Sequence, residues 1–181
     1  MVTSSGAGSY DFEIGRSWLY RTDLGEAHCG DSLSAIKSMP DGCLNAIITS
    51  PPFALLRKKA YGNQTEAEYV EWFLDFAREF KRLLRDDGSL VIEIGGALLP
   101  GKPMRSIYQF DLLVRLVRDL GFGLAEDFYW HNPAKLPGPA QWVNIERTRV
   151  KDSVSNIWWL AKTSTPKADN RQVLKAYSAS Q

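Results

Sequence analysis

Ser50-Pro51-Pro52-Phe53 directly follows an apolar, β-rich run, Leu44 to Thr49. Proline fixes φ and donates no backbone hydrogen bond, so two in succession hold the chain rigidly and leave carbonyl oxygens free to point into a cleft. Ser50 adds a hydroxyl that can accept a hydrogen bond, and Phe53 adds a flat apolar face. This set suits the activation of an exocyclic amine on an aromatic base. The lone pair of such an amine is delocalised into its ring. To attack a methyl donor, the nitrogen must pyramidalise and take on positive charge. Acceptors aimed at its N–H groups favour that geometry and stabilise the charge as it develops. Ser50 Oγ and the Pro51 carbonyl are the candidate acceptors. Phe53 is the candidate stacking partner for a base drawn out of its duplex. A bare Ser-Pro-Pro is more often a simple turn after a strand, so the surrounding elements must decide.

Those elements alternate. Glu26 to Gly30 reads as a short strand ending at Asp31, and Ser32 to Met39 as a short helix stopped by Pro40. After the Leu44–Thr49 strand and a polar loop, Thr65 and Glu68 have capping-box spacing. Tyr69, Phe73, Phe76, Phe80, Leu83 and Leu84 then recur at helical intervals, and Asp87-Gly88 marks the end. This aromatic stripe reads as core. Ser89 to Ile94 is a strand closed by Gly95-Gly96, and Ile107 to Leu120 is a second amphipathic helix followed by Gly121. Leu124 to His131 and Val154 to Lys162 are further strands, separated by a proline-rich loop. The pattern predicts an α/β fold with a mostly parallel sheet, helices on both faces and an antiparallel edge. In such sheets, ligands bind beyond the carboxyl ends of the strands. Asp31, Ser50 to Phe53, and Gly95-Gly96 are each expected on that rim.

The 181 residues suffice for one domain, and the formal net charge of +1 gives no global basic field. Nucleic-acid contacts must therefore come from local patches. Cys29 and Cys43 read as buried reduced thiols of a cytosolic protein, and no His/Cys spacing suggests a metal. No apolar run reaches the length of a membrane span. Residues 1–20 read as a flexible segment, 21–163 as the domain and 164–181 as a polar tail.

Several stretches together resemble one family. They include Cys29-Gly30-Asp31-Ser32-Leu33, Ile48 to Leu55, Lys58 to Asn63, Asp87-Gly88-Ser89 with Gly95-Gly96, Ala125 to Trp130, Asn132-Pro133 with Lys135-Leu136-Pro137, and Arg149 to Asp152 with Trp158-Trp159. The sequence is similar to the DNA amino-methyltransferases (cytosine-N4 and adenine-N6), in their permuted β class, over nearly all of residues 26–177. Serine before Pro-Pro is more typical of the cytosine-N4 enzymes, although adenine-N6 methylation is the alternative. The resemblance implies a partial Rossmann-like, class I methyltransferase fold, an S-adenosylmethionine donor and double-stranded DNA as substrate in a restriction-modification setting. It implies catalytic roles for Ser50, Pro51, Pro52 and Phe53. It places Gly30-Asp31 near the adenine of the donor, and makes Gly95-Gly96 a seat for the donor or target base, where missing side chains leave room.

In this class a target-recognition region and a glycine-rich F-x-G-x-G strand–turn normally follow, and the sequence ends at Gln181 without them. The absent strands would lie beside Leu44–Thr49, leaving that strand with an open apolar edge. A second polypeptide supplying the donor-binding half is therefore expected, or a truncated gene product. The chain alone is expected to bind the donor poorly. An inactive remnant acting as an interaction subunit is the non-enzymatic alternative; RNA or a small molecule as substrate is weaker.

Arg57, Lys58 and Lys59, with Lys135 and Arg149, are the candidate DNA-phosphate contacts. Arg147 and Lys151 could join them. Equally, Arg149 and Lys151 could pair with Asp152 or Glu146 at the surface. His131 lacks an evident acidic or nucleophilic partner and reads as structural. Trp130, Trp142, Trp158 and Trp159 read as packing against helices.

Overall fold

The computed structural model describes residues 18–54, 64–171 and 173–176. Strands β1 (Trp18–Thr22) and β2 (Gly25–His28) pair antiparallel as a separate hairpin. Helix α1 (Ser32–Lys37) follows, capped by the Asp31 carboxylate on the Ser34 amide at 2.8 Å. Strand β3 (Leu44–Thr49) leads through the Ser-Pro-Pro-Phe segment to α2 (Glu66–Leu83). Strand β4 (Leu84–Ile94), helix α3 (Tyr108–Arg118), strand β5 (Gly123–His131) and strand β6 (Val154–Ala161) complete the order. A π-helical turn at Gln141–Ile145, which the sequence pattern did not announce, sits in the long β5–β6 connection.

The α/β class holds. The main sheet has the order β3-β4-β6-β5. Only β3 and β4 are parallel; β6 runs antiparallel to both of its neighbours. The expectation of a mostly parallel sheet is thus corrected for the described strands. Val154–Ala161 pairs antiparallel with β5 because the long connection between them folds back beside β5 instead of crossing over the sheet. Strand β1 starts at Trp18, inside the stretch assigned to a flexible segment, because β2 gives it a partner. Helix α2 ends at Leu83 rather than Asp87, since Leu84 already turns to extended geometry with ψ 139.

The described helices cover one face of the sheet, not both. Leu90, Ile92 and Ile94 of β4 and Trp158 and Leu160 of β6 are buried there, against Tyr69, Phe73, Ala77 and Phe80 of α2 and Leu112 and Leu116 of α3. Each fully buried side chain of this kind contributes roughly 1.5–3 kcal/mol. At the strand amino ends, Arg82 binds Asp41 and Glu79 and donates to the carbonyls of Met39 and Ile36. It thereby locks the end of α2 to the turn before β3. Glu68 accepts from the Thr65 hydroxyl at 2.7 Å and fixes the start of α2. No described helix is long and apolar enough to cross a membrane.

The opposite face is built by the alternate residues. Ala46 and Ile48 of β3, Val91 and Glu93 of β4, Ile157 and Trp159 of β6 and Phe128 of β5 share it by register. Among the described residues β3 has no neighbour on its outer side, and Ile48 is 80% exposed.

Candidate active site

Strands β3 and β4 are adjacent and parallel, so the residues after each emerge on one rim. The register pairs Thr49 with Ile92, which sets Ser50 beside Glu93 on the face that the described helices leave open. The Ser50 hydroxyl donates a short hydrogen bond to the Glu93 carboxylate. Pro51 and Ala54 are buried and Phe53 half-buried, so the prolines are anchored in the body of the domain. Glu93 did not stand out in the sequence. It looked like one polar position in an alternating strand, and only the β3–β4 register brings it to Ser50.

The glycine pair does not leave an open cradle. A Cβ on Gly95 would lie 2.9 Å from the Phe53 ring, and one on Gly96 would lie 2.6 Å from Arg105 Nη1. The space expected for a donor or base is filled by protein: Gly95 seats Phe53 and Gly96 seats Arg105. The Tyr108 hydroxyl donates to the Gly95 carbonyl, and the Ala54 backbone amide meets the same phenol. Burial pushes this phenol up to about 12, so it stays protonated and keeps its donor. Tyr108 therefore ties the end of the proline segment to the end of β4.

Asp31 does follow a strand, but that strand belongs to the β1–β2 hairpin, not to the main sheet. Its placement on the shared rim is therefore not carried by sheet pairing. One carboxylate oxygen caps α1, and the hydrogen bonds from Ser34 hold this carboxyl below its ordinary range. Gly30 faces open space, with no atom within 4 Å of an added Cβ. Of the four residues proposed to hold S-adenosylmethionine, only Gly30 and Asp31 offer room and an exposed carboxylate. The fit is thus to one end of a donor. The sequence holds no F-x-G-x-G turn for the other end.

The basic candidates separate. Arg57, Lys58 and Lys59 lie outside the described residues. Arg149 and Lys151 pair with neither Asp152 nor Glu146. The Arg149 guanidinium donates to the carbonyls of Pro103 at 2.7 Å and Thr148 at 2.6 Å, and Lys151 donates to the Pro133 carbonyl at 2.6 Å. Asp152 instead takes Arg105 at 3.1 Å and Lys135 at 3.4 Å. Arg147 has a positive φ of 57 and is exposed. His131 is exposed at the end of β5. Trp158 packs against the helices as expected. Trp159 instead sits on the opposite face and donates to Ser89 Oγ at 2.9 Å, while Trp130 is half exposed. Cys29 is exposed and Cys43 half-buried, so neither is the buried thiol expected.

The chain is similar to known proteins. The chain is 51% identical over 165 residues to the type II methyltransferase M.PvuII of Proteus hauseri, across 91% of this chain and 49% of that protein. It is 30% identical to M.SfiI of Streptomyces fimbriatus over 61% of this chain and 31% of that one. The chain thus spans about half the length, or less, of these curated relatives. A solved structure of the PvuII DNA methyltransferase (cytosine-N4-specific) superposes with a TM-score of 0.73 at 51% identity, over 81% of this chain and 52% of that one. This is an S-adenosylmethionine-dependent methyltransferase fold. A putative DNA modification methylase of Thermus thermophilus, in complex with S-adenosylmethionine, shares the fold with a TM-score of 0.55 at 22% identity. The DNA methylase family model, which groups N6 and N4 methyltransferases, matches residues 44–181, and the chain belongs to that family.

Proposed function

We propose that this chain is the catalytic part of a site-specific DNA methyltransferase in a restriction-modification setting. It acts on the N4 amine of a cytosine drawn out of double-stranded DNA. The observation that carries this reading is the Ser50–Glu93 hydrogen bond at the rim of β3 and β4. Because the Ser50 proton is committed to Glu93, the Oγ lone pairs are left to accept from the target amine. The Pro51 carbonyl, on a buried and rigid proline, is the second acceptor. Phe53, held over Gly95, presents a ring to the extruded base.

The same residues account for the proton. As the amine becomes positively charged, the Glu93 carboxylate one hydrogen bond away stabilises it. The nitrogen proton passes to Ser50 Oγ while the Ser50 proton passes to Glu93. The product is a neutral methylated amine and a protonated Glu93. When bound, S-adenosylmethionine supplies an electrophilic methyl group. Gly30 and Asp31 would hold its adenosine end. Lys135 and Arg149, together with Arg57, Lys58 and Lys59, would meet DNA phosphates.

The open edge of β3 and the apolar face carrying Ile48, Val91 and Trp159 support a second half, on the same or another polypeptide. It would add strands beside β3 and supply the remainder of the donor site. Residues 21–163 are then the catalytic half of the complete domain.

The test is methylation of unmodified DNA followed by digestion to nucleosides. Joined to the remaining half of the Proteus hauseri relative, the chain should produce N4-methylcytosine. N6-methyladenine would overturn the base assignment. Full methylation by the chain alone would overturn the requirement for a second half. A joined protein that binds S-adenosylmethionine yet modifies nothing would favour an inactive remnant.

A further inference from the structure

A cavity of about 530 Å³ opens beside the active-site rim, with Ala54 and Gly96 in its lining. Its size falls within the range of small-molecule sites, roughly 300–1,000 Å³. The walls are largely apolar and rigid in kind: Leu98 and Pro103 from the segment after β4, and Leu136, Pro139 and Val143 from the β5–β6 connection. The charged lining is uneven. Arg105, Lys135 and Arg149 are set against one carboxylate, Asp152. Asp152 ion-pairs with Arg105 and Lys135 and so fixes both heads in place. Arg149 donates to the carbonyls of Pro103 and Thr148 and to the Met104 sulfur, none of which carries a formal charge. Among the described residues no carboxylate pairs with it. Its guanidinium is exposed and its charge is left uncompensated, so it is available to an anion.

A further group at this wall lacks a partner. Gln109 is 7% exposed, and its buried Oε1 accepts no hydrogen bond. A Cβ added to Gly96 would come within 3.3 Å of that oxygen, so it lies directly behind the Gly96 wall. This oxygen is shut behind the wall rather than open to the cavity, so it takes no part in the subsite.

We infer that this cavity is a nucleotide subsite. It takes one nucleotide unit of the DNA strand next to the extruded base, with the flat base between the apolar walls and the phosphate on Arg105, Lys135 and Arg149. The surplus of positive charge selects the ligand. S-adenosylmethionine carries a sulfonium and an ammonium group against a single carboxylate and is a net cation, whereas a phosphodiester is an anion and is attracted. The position of Ala54 and Gly96, beside Phe53 and Arg105, sets the subsite one step from the proposed base site. Assigning the ligand to DNA rests on the function proposed above. The preference for an anionic nucleotide rests on the cavity alone.

The experiment is fluorescence anisotropy of the full chain with a fluorescein-labelled single-stranded octadeoxycytidylate across a range of salt, with circular dichroism to check folding. Arg149→Gln and Arg105→Gln should each weaken binding by about tenfold, the scale of a lost charge-assisted hydrogen bond. Each should also flatten the log–log salt slope by about 0.7, the value per phosphate neutralised on a single strand. Val143→Trp, which enlarges a half-buried side chain of the lining without changing charge, should weaken binding and leave the slope intact. Lys37→Gln, at the far end of α1, should change the affinity by less than about twofold. Deoxycytidine monophosphate should compete and deoxycytidine should not, while a dinucleotide should compete better than the mononucleotide if a strand is the natural ligand. Equal effects of Lys37→Gln and Arg149→Gln would overturn the subsite, as would binding indifferent to Val143→Trp. Oligonucleotide binding of the expected pattern without any methyl transfer by the joined protein would leave the subsite standing and remove the proposed reaction.

Discussion

The two faces of the β3-β4-β6-β5 sheet come from the same strands and differ in what they do. On the helix-covered face, Leu90, Ile92, Ile94 and Leu160 are fully buried among aromatic side chains of α2. On the other face, Ile48, Val91 and Phe128 are only partly covered, and the polar pair Ser50–Glu93 stands at its rim. Alternation along β4 produces both at once, since successive side chains point to opposite sides. The contrast teaches that the stability of this domain and its proposed chemistry are separable by single substitutions. One face can be damaged while the other is read out.

The largest effect should come from the covered face. Phe73→Ala removes a ring at the centre of the α2 stripe and should cost about 3–5 kcal/mol, read as a lowered midpoint in urea unfolding. An unchanged midpoint would mean that the face is not the core. Next, Ser50→Ala in the joined protein should lower methyl transfer by roughly 100–1,000-fold, about 2.7–4 kcal/mol, with the unfolding midpoint nearly unchanged. If stability fell as far as activity, the separation between the faces would be lost. Glu93→Gln keeps an acceptor but removes the charge that receives the proton. It should give a smaller loss of about 10–100-fold, visible in turnover rather than in binding.

Acid should act at a third place, the Asp152 ion pairs in the cavity lining beside the rim. Burial raises the Asp152 carboxyl, but the Arg105 hydrogen bond, the Val154 amide and the charges of Arg105 and Lys135 lower it more, so its net position is below the ordinary carboxylate range. A carboxylate depressed in the folded state stabilises the fold above its unfolded value, near 3.9, and loses that contribution as pH falls through the folded value. Unfolding midpoints measured from pH 6 downward should therefore fall below about pH 4, and Asp152→Asn should reduce that dependence. The smallest effect is expected from Ile48→Thr on the open face, within about 0.5 kcal/mol for the chain alone. A large loss of stability there would mean that the face is already covered.

Much of this was legible in advance. Leu44–Thr49 is the observed β3, and the Thr65–Glu68 capping signal opens α2 one residue later. Both rest on local rules: an apolar run closed by prolines, and a side chain reaching three residues along the backbone. The Ser50-Pro51-Pro52-Phe53 segment was legible for the same reason, since its rigidity is built into consecutive residues. What was misread depends on distant pairing. The antiparallel β6, the separate β1–β2 hairpin and the single helical layer are all set by which strands meet.

By itself the sequence determined where the elements lie, which stripe of α2 is buried and which four residues stand at the end of β3, because short-range geometry and hydrophobic periodicity act within a few residues. Only the tertiary structure decided that Glu93 accepts the Ser50 hydrogen bond, that Phe53 and Arg105 occupy the room above the glycines, and that Asp152 pairs with Arg105 and Lys135 rather than with Arg149. Ser50 and Glu93, Phe53 and Gly95, and Arg105 and Asp152 are each more than forty positions apart, while Arg105 returns to Gly96 through the loop between β4 and α3. A slip of one residue in the β3–β4 register would have moved Glu93 to the helix side and left Ser50 without its partner.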